Sequence, residues 1–196
     1  ASFPAHAALL PPEDAVAFLA AAAWLGVALC LVYLAWGALR PRRRPEVLFF
    51  PDKSGANLRE ICGKLAQARG RIWLAMFTLT ENLLSDELQR AHARGVDVRI
   101  IVDDEQCGAL GADAQRLAAA GLPVVHDGSL ASRMHHKFVV VDQTVLTGSF
   151  NWTRQASTVN CENLCVLHDK ALVGKFAREF TRLWRDFHAR GGRLPA

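Results

Sequence analysis

The chain has 196 residues, of which 51% are hydrophobic, and a formal net charge of +4. That length accommodates one domain and a short appendage, and the charge is too small to identify a polyanion-binding protein by itself. The five cysteines are an odd number, which argues against a disulfide framework and favours free thiols in a reducing compartment.

An uncharged segment lies near the N-terminus. Residues 15–39 carry no charged side chain, and roughly 20 apolar residues suffice to cross the hydrocarbon core of a bilayer. We therefore predict a short leader at 1–14, a transmembrane anchor at 15–39 and a basic juxtamembrane linker at 40–45. Because arginines beside a span tend to remain cytosolic, the C-terminal part is predicted to face the cytosol. A buried helix and a secretory signal are the alternatives.

Helix and strand patterns alternate over the remaining segment, 46–190. Apolar residues recur at helical spacing before Gly70, Gly95 and Gly121, and a long last helix is predicted to begin after Asp169. Strands are predicted between these helices, over 71–77, 96–102, 122–125, 135–141, 145–149 and 163–167. This alternation predicts an α/β domain with a mixed β-sheet flanked by helices on both faces.

The first group of chemically useful residues follows the pattern H-x-K-x-x-x-x-D. His135 and Lys137 are two apart in a predicted strand, so both side chains project from one face, and Asp142 ends that strand. An imidazole can act as a nucleophile or proton carrier near neutral pH. A fixed cation beside it can stabilise the negative charge that develops on phosphate oxygens. The pattern therefore predicts phosphodiester cleavage without a metal.

A second group, G-S-x-N, follows within a few residues. Gly148 permits close approach of the backbone, while Ser149 and Asn151 can donate hydrogen bonds to phosphate oxygens. We predict that these three residues bind the substrate phosphate; an ordinary strand end is the alternative.

The two motifs, together with Trp152 and Glu162, resemble those of the phospholipase D superfamily, and of the mitochondrial cardiolipin hydrolases or Zucchini-type endonucleases in particular. The resemblance covers most of 45–190 and implies a phospholipase D/nuclease-like fold. It also implies that His135 forms a phosphohistidine and that Glu162 orients this histidine. Asp142 is then a motif residue that supports the local turn.

The chain has a single H-x-K motif, whereas many members of the superfamily carry two. The leaving group needs a proton from a second histidine, so the resemblance implies a homodimer whose twofold axis creates one composite active site. No cofactor is expected. No metal is expected either, since residues 45–71 contain one cysteine and no histidine, unlike relatives with a zinc-binding insertion.

The resemblance leaves two substrates open, cardiolipin cleaved to phosphatidate and single-stranded RNA cut in piRNA-type processing. It implies the mitochondrial outer membrane, with the catalytic domain facing the cytosol. An apolar entrance to the site favours the lipid, and a basic groove favours RNA. Four arginines weakly favour RNA: Arg94, Arg99, Arg133 and Arg154.

Two further alternatives remain. The connection from Asp142 to Gly148 is one residue shorter than is usual in the family, and losing one residue from a strand swaps the faces of those that follow. A changed turn or a bulge must therefore return Ser149 and Asn151 to the site. Without it, the chain would be a catalytically impaired, membrane-anchored dimeric scaffold. The other alternative is an exported bacterial-type HKD endonuclease in which residues 1–39 are a signal.

Overall fold

The structure is a computed structural model and describes residues 13–39, 43–108, 112–128 and 133–195. The chain separates into two compact units, which meet in sequence between residues 42 and 43. The leader predicted at 1–14 and the linker predicted at 40–45 fall mostly outside the described residues.

The first unit contains one helix, α1 (Glu13–Leu39). Its stretch Ala15–Trp36 has a mean hydropathy of 2.5, and none of it is buried. An apolar helix without a polar face is suited to lipid rather than to water. In length and composition α1 is therefore able to cross a membrane.

The second unit is built on one seven-stranded sheet. Its strands are β1 (Glu46–Phe50), β2 (Arg71–Met76), β3 (Asp97–Val102), β4 (Val124–His126), β5 (Lys137–Val141), β6 (Thr144–Gly148) and β7 (Glu162–Leu167). The order across the sheet is β1-β7-β6-β5-β2-β3-β4. β2, β3 and β4 run parallel to one another, while the other pairings are antiparallel.

Helices cover both faces of this sheet. They are α2 (Ala56–Ala66), α3 (Asn82–Ala93), α4 (Asp104–Cys107), α5 (Asp113–Ala119), α6 (Arg154–Thr158) and α7 (Lys170–Ala189). Alternate valines of β5 divide between two hydrophobic clusters: Val139 joins the one with α2, α3 and α5, and Val140 joins the one with α7. The predicted mixed sheet with helices on both faces is confirmed.

Local signals fix the ends of several elements. The Asp169 carboxylate accepts a hydrogen bond from Leu172 N at 2.9 Å and so caps α7, as the sequence predicts. β5 begins at Lys137, two residues later than predicted, although Phe77 N still donates to His136 O at 2.9 Å.

Three elements were not predicted: edge strand β1 and the short helices α4 and α6. β1 has five residues, with Leu48 and Phe50 buried and Val47 and Phe49 exposed. The segment is bounded by prolines and too short for a clear periodic signal. Its strand character depends on pairing with β7, which follows more than 100 residues later in the chain.

The short connection between β5 and β6 is a two-residue turn. Val141 pairs with Thr144, leaving Asp142 and Gln143 as the turn residues. Asp142 has a φ of 50°, a left-handed conformation that aspartate adopts more readily than most residues. This turn sets the register of β6, which ends at Gly148.

Candidate active site

The strands that carry the two motifs and Glu162 end or begin at one edge of the sheet. β5 begins there at Lys137, β6 ends there at Gly148, and β7 begins there at Glu162. β2 also ends there, because Met76 pairs with Lys137. The sheet therefore collects the start of the H-x-K motif, the G-S-x-N motif and Glu162 on neighbouring strands.

His135 and Lys137 lie against each other at this edge. Lys137 Nζ is 3.4 Å from both ring nitrogens of His135 and 3.2 Å from its carbonyl oxygen. The distance to the ring is long for a hydrogen bond, and it is the same to both nitrogens. The ammonium therefore lies beside the imidazole without a strong hydrogen bond to either nitrogen, so both ring nitrogens remain available for reaction.

Phe77 lies beneath this pair, a residue that the sequence analysis did not single out. Its ring centroid is 4.5 Å from that of His135 and 5.0 Å from Lys137 Nζ. The ring supports the imidazole from one side and offers the ammonium its electron-rich face. The signal available in the sequence was an aromatic residue at the end of the predicted strand 71–77, and only the pairing of β2 with β5 brings it beside the motif.

Lys137 is partly buried, and its surroundings act on its charge in opposite directions. Burial lowers the pKa of Lys137, while the negative charge of Glu162 works to raise it. A cation that is only partly hydrated interacts more strongly with a nearby anion than a fully solvated one. Lys137 is therefore well placed to stabilise a phosphate bound beside His135.

Glu162 and Ser149 form a connected polar group. The Ser149 hydroxyl donates to Glu162 in a short hydrogen bond and accepts from Asn163 N at 3.1 Å. Asn160 Nδ2 donates to the other oxygen of Glu162 at 3.1 Å. Within the described residues Glu162 makes no hydrogen bond to His135. Glu162 thus bonds to Ser149 and acts on Lys137 through its charge, while the orientation of His135 by Glu162, which the resemblance implies, stays a prediction.

The segment after β6 is held closely against β7. A Cβ added at Gly148 would lie 2.1 Å from the carbonyl oxygen of Asn163, so only glycine fits there without displacing backbone. Ser149 then lies in a bend beyond the end of the strand. Because Ser149 has left the regular strand, its hydroxyl reaches Glu162 despite the shortened connection.

Asn151 is the least satisfied polar group of the motif. Its side-chain oxygen is buried and has no hydrogen-bond partner. Its position is fixed by the buried Trp152, whose backbone N–H donates to Thr78 O at 3.2 Å and whose carbonyl accepts from Thr80 N at 2.8 Å. That oxygen is an acceptor, so a hydrogen bond from Asn151 to a phosphate oxygen would have to come from its amide nitrogen.

Asp142 lies apart from these residues, at the opposite end of β5. Its carboxylate accepts backbone hydrogen bonds from Arg69 at 3.0 Å, Gly70 at 2.8 Å and Arg71 at 2.9 Å. Burial works to raise the pKa of Asp142, but these three N–H donors outweigh it and hold the pKa below its ordinary value. The motif aspartate therefore ties the β5–β6 turn to the start of β2 and does not join the His135 group.

A cavity of about 440 Å³ opens on the α7 side of His135. Three arginines line it, and two of them have acidic partners: Arg133 pairs with Glu105, and Arg182 pairs with Glu179 at 2.7 Å. The other residues that line the cavity are Asp127, Met134, His135, His136, Leu183, Phe187 and Arg190. Its positive charge is therefore largely compensated.

The arginines expected to favour RNA do not form one groove. Arg99 pairs with Asp97 at 2.9 Å and lies over the ring of Trp73. Arg94 bonds to the carbonyl of Leu65 at 3.3 Å, and Arg154 begins α6. Of the four, only Arg133 lines the cavity beside His135.

The described residues contain one group of carboxylates that is compact enough to hold a metal ion. It consists of Asp103, Asp104 and Asp127. It is distinct from the residues around Lys137 and Glu162.

Comparisons with known proteins give this geometry a family. The family model described as "Cardiolipin synthase, PLD-like domain" matches residues 61–184. The mitochondrial cardiolipin hydrolase of Mus musculus is 36% identical over 199 aligned residues, which cover 85% of this chain and 89% of the relative. That of Homo sapiens is 37% identical over 203 aligned residues, which cover 86% of this chain and 80% of the relative.

Solved structures agree with these relatives. Nuc from Salmonella typhimurium, a phospholipase D family member, superposes with a TM-score of 0.68 at 27% identity, covering 78% of this chain and 100% of that one. NucT from Helicobacter pylori shares the fold, with a TM-score of 0.65 at 18% identity. The resemblance inferred from the two motifs is confirmed: the chain belongs to the mitochondrial cardiolipin hydrolase family, within the phospholipase D superfamily of phosphodiesterases.

Proposed function

We propose that this chain hydrolyses cardiolipin to phosphatidate through a phosphohistidine on His135. The observation that carries the proposal is the contact between His135 and Lys137, with the ammonium 3.4 Å from the imidazole at the edge where the G-S-x-N motif ends β6. The names of the relatives support cardiolipin as the substrate.

The proposed reaction has two steps. In the first, a nitrogen of His135 bonds to phosphorus, the P–O bond to the leaving alcohol breaks, and a second histidine gives that alcohol a proton. In the second step, water attacks phosphorus, the P–N bond breaks, and the proton of the water returns to the second histidine. Lys137 stabilises the charge on the phosphate oxygens in both steps, and Ser149 and Asn151 hold those oxygens.

The second histidine is proposed to come from a second copy of the chain. The domain carries one H-x-K motif, and a twofold axis through the site edge would place two copies of His135 across a single phosphate. The exposure of His135 supports this arrangement, since its ring remains accessible to a partner.

The proposed location is the mitochondrial outer membrane. In this proposal α1 is the anchor, and residues 46–190 form a catalytic domain that faces the cytosol. The apolar, unburied stretch Ala15–Trp36 and the arginines at 40–44 support the anchor and its orientation. The mitochondrial relatives support the organelle.

An apolar surface beside the site favours the lipid. Phe49 on β1 is 70% exposed and pairs with Asn163, which donates its N–H to Ser149. Val47, two residues earlier on the same face of β1, is also exposed. Acyl chains or a bilayer surface can contact such residues, whereas a strand of RNA gains little from them.

Single-stranded RNA is the second candidate substrate. Arg133 beside His135 and the cavity that it lines are the observations in its favour. The acidic partners of Arg133 and Arg182 weaken this case, because an arginine that is already paired binds phosphate less strongly.

The test compares the two substrates directly. The full chain in non-ionic detergent would be incubated in EDTA with cardiolipin-containing micelles and, separately, with single-stranded RNA. We expect phosphatidate release from cardiolipin that is lost in His135→Ala and kept in His92→Ala, a control histidine on α3. Cleavage of RNA alone would assign the second candidate. Failure of a verified dimer to cleave either substrate would favour the scaffold.

The composite site has a test of its own. Wild-type and His135→Ala chains would be co-expressed with different tags at several ratios, so that mixed dimers form. If both copies of His135 serve one phosphate, mixed dimers are inactive, and specific activity falls as the square of the wild-type fraction. A linear decrease would show that each chain works alone.

A further inference from the structure

Three aspartates meet where two parallel strands end. Asp103 follows β3, Asp104 begins α4, and Asp127 follows β4. One carboxylate oxygen of each lies within 4.8 Å of the others. Asp103 is 0% exposed and Asp127 is 2% exposed, so two of the three carboxylates are removed from water.

Among the described residues, these carboxylates accept few hydrogen bonds and form no ion pair. Asp103 Oδ2 accepts a hydrogen bond from Met134 N at 3.1 Å, but its Oδ1 is buried and has no partner. Asp127 Oδ1 accepts one hydrogen bond, from Asp104 N at 3.0 Å. In the part of the chain that the structure describes, no lysine, arginine or histidine forms an ion pair with any of the three.

The surroundings disfavour the negative charge of Asp127 further. Asp127 is almost completely buried, and carboxylate oxygens of Asp103 and Asp104 lie within 4.8 Å of one of its own. Arg133 interacts electrostatically with Asp103 and Asp104, but its ion pair is with Glu105. Buried carboxylates that lack a counter-charge are costly, and proteins normally neutralise them with a proton or a cation.

We propose that Asp103, Asp104 and Asp127 bind a divalent cation of the size of Ca²⁺. Ca²⁺ accepts carboxylate oxygens in a flexible geometry at about 2.3–2.6 Å, whereas Mg²⁺ demands a near-ideal octahedron at about 2.0–2.1 Å. Three carboxylates within 4.8 Å of one another, each already positioned by its own strand or helix end, suit the more tolerant ion. The partial exposure of Asp104 leaves one side open, through which the ion enters and water completes its shell.

The site adjoins the active site, since Asp127 lines the same cavity as His135, but none of its three carboxylates belongs to the two motifs. The Asp103 carboxylate accepts a hydrogen bond from the backbone N–H of the buried Met134, and the next residue is His135. A bound cation would fix the Asp103 carboxylate, and with it the segment that leads into the H-x-K motif. The cation takes no part in phosphodiester cleavage, so this proposal stands or falls separately from the proposed function.

The test is the effect of Ca²⁺ on thermal unfolding. The full chain in phospholipid-free, non-ionic detergent would be stripped with a chelator, dialysed and titrated with Ca²⁺. At a hundredfold excess over Kd we expect the Tm of the wild type to rise by about 5–10 °C. Isothermal calorimetry at 25 °C should give one ion per chain, a readout that does not depend on unfolding.

Two aspartate variants make the test specific. Asp127→Asn should lose the Ca²⁺ response, and in chelator it should be at least as stable as the wild type, because it removes one of the crowded charges. Asp113→Asn is the matched control: Asp113 is also buried, but it is bonded to Ser85 at 2.7 Å and to Arg116 at 2.9 Å. Its loss should lower the Tm with and without Ca²⁺ and leave the response intact.

Several outcomes would overturn the proposal. One is a wild-type Tm that Ca²⁺ leaves unchanged, or that only Mg²⁺ raises. Another is an equal Ca²⁺ response in Asp127→Asn. Equal destabilisation of Asp127→Asn in chelator and in Ca²⁺ would show that the aspartates act through hydrogen bonds and a shared proton.

Discussion

The two ends of β5 carry one sequence motif but differ in how their polar groups are satisfied. At the Lys137 end, the ammonium lies 3.4 Å from His135 without forming a strong hydrogen bond, and the buried oxygen of Asn151 has no partner. At the Asp142 end, the carboxylate accepts three backbone hydrogen bonds. Satisfied groups hold a fold together, while unsatisfied groups are available to a substrate. Substitutions at the first end should therefore cost activity, and those at the second should cost stability.

The largest expected effect follows from removing the cation at the Lys137 end of β5, called the active end below. Lys137→Met keeps most of the side-chain volume and removes the charge. Loss of one preorganised group that stabilises transition-state charge typically costs about 10²–10³ in rate, and we expect that decrease in kcat for cardiolipin. Because Lys137 is partly desolvated, the Tm should not fall.

The control for this prediction is Lys175→Met, on the exposed surface of α7. It should leave kcat unchanged. If Lys137→Met instead lowered the Tm and left kcat per folded molecule unchanged, the two ends of β5 would not differ as proposed.

Gly148 is the one position at the active end where stability should suffer. A Cβ there would lie 2.1 Å from the Asn163 carbonyl oxygen, so Gly148→Ala must push β6 away from β7. We expect a loss of about 3 kcal/mol in the free energy of unfolding, measured with denaturant. Gly63→Ala is the matched control, since nothing lies within 4 Å of its added Cβ and alanine favours helix α2. Equal stability of the two variants would contradict the close approach.

Local patterns predicted most of this fold, and long-range pairing explains what they missed. The helices before Gly70 and Gly95 and the cap at Asp169 depend on neighbours in sequence, and they lie where expected. β1 was missed because five residues between prolines become a strand only by pairing with β7. The order of the strands likewise depends on contacts that no local pattern contains.

The site shows the same division. The spacing of His135 and Lys137 predicted that they would lie together, because residues two apart in an extended segment project from one face even where, as at His135, the segment precedes the strand. The spacing could not reveal that Glu162 would bond to Ser149, since a bend after Gly148 creates that contact. The aspartate cluster was missed for a similar reason: Asp103 and Asp127 are 24 positions apart and meet only because β3 and β4 are parallel neighbours.

Asp142 provides the complementary test at the other end of β5, where we expect substitutions to affect stability. Asp142→Asn keeps an acceptor and tolerates the positive φ, so it removes mainly the charge. We expect a loss of about 1–2 kcal/mol in the free energy of unfolding, because a charged acceptor forms stronger hydrogen bonds than a neutral amide oxygen. The loss is no larger because the Asp142 carboxylate is partly exposed to water, which weakens the effect of its charge. Asp142→Ala should cost more, as it also strains the turn. Activity per folded molecule should not change in either variant.

The pH dependence of stability checks the same point. The folded-state pKa of Asp142 is depressed, so its contribution is present above the unfolded carboxyl pKa and is lost as pH falls through the folded value. The difference in stability between wild type and Asp142→Asn should therefore shrink in acid. A constant difference at all pH values would mean that the charge of Asp142 is not responsible.

The smallest expected effect is the influence of the Glu162 charge on the pKa of Lys137. In the proposed mechanism Lys137 acts as a cation, so we expect activity to fall as pH rises through its pKa. Burial already lowers that pKa, and the Glu162 carboxylate works against this. Glu162→Gln retains an acceptor for Ser149 but removes the charge, so the pKa of Lys137 should fall further. The alkaline limb of kcat/KM should then move to lower pH, while Glu60→Gln, on α2 and paired with Lys64, should leave it in place. A limb that moved to higher pH, or stayed where it is, would show that Glu162 supports the site only through its hydrogen bonds to Ser149 and Asn160.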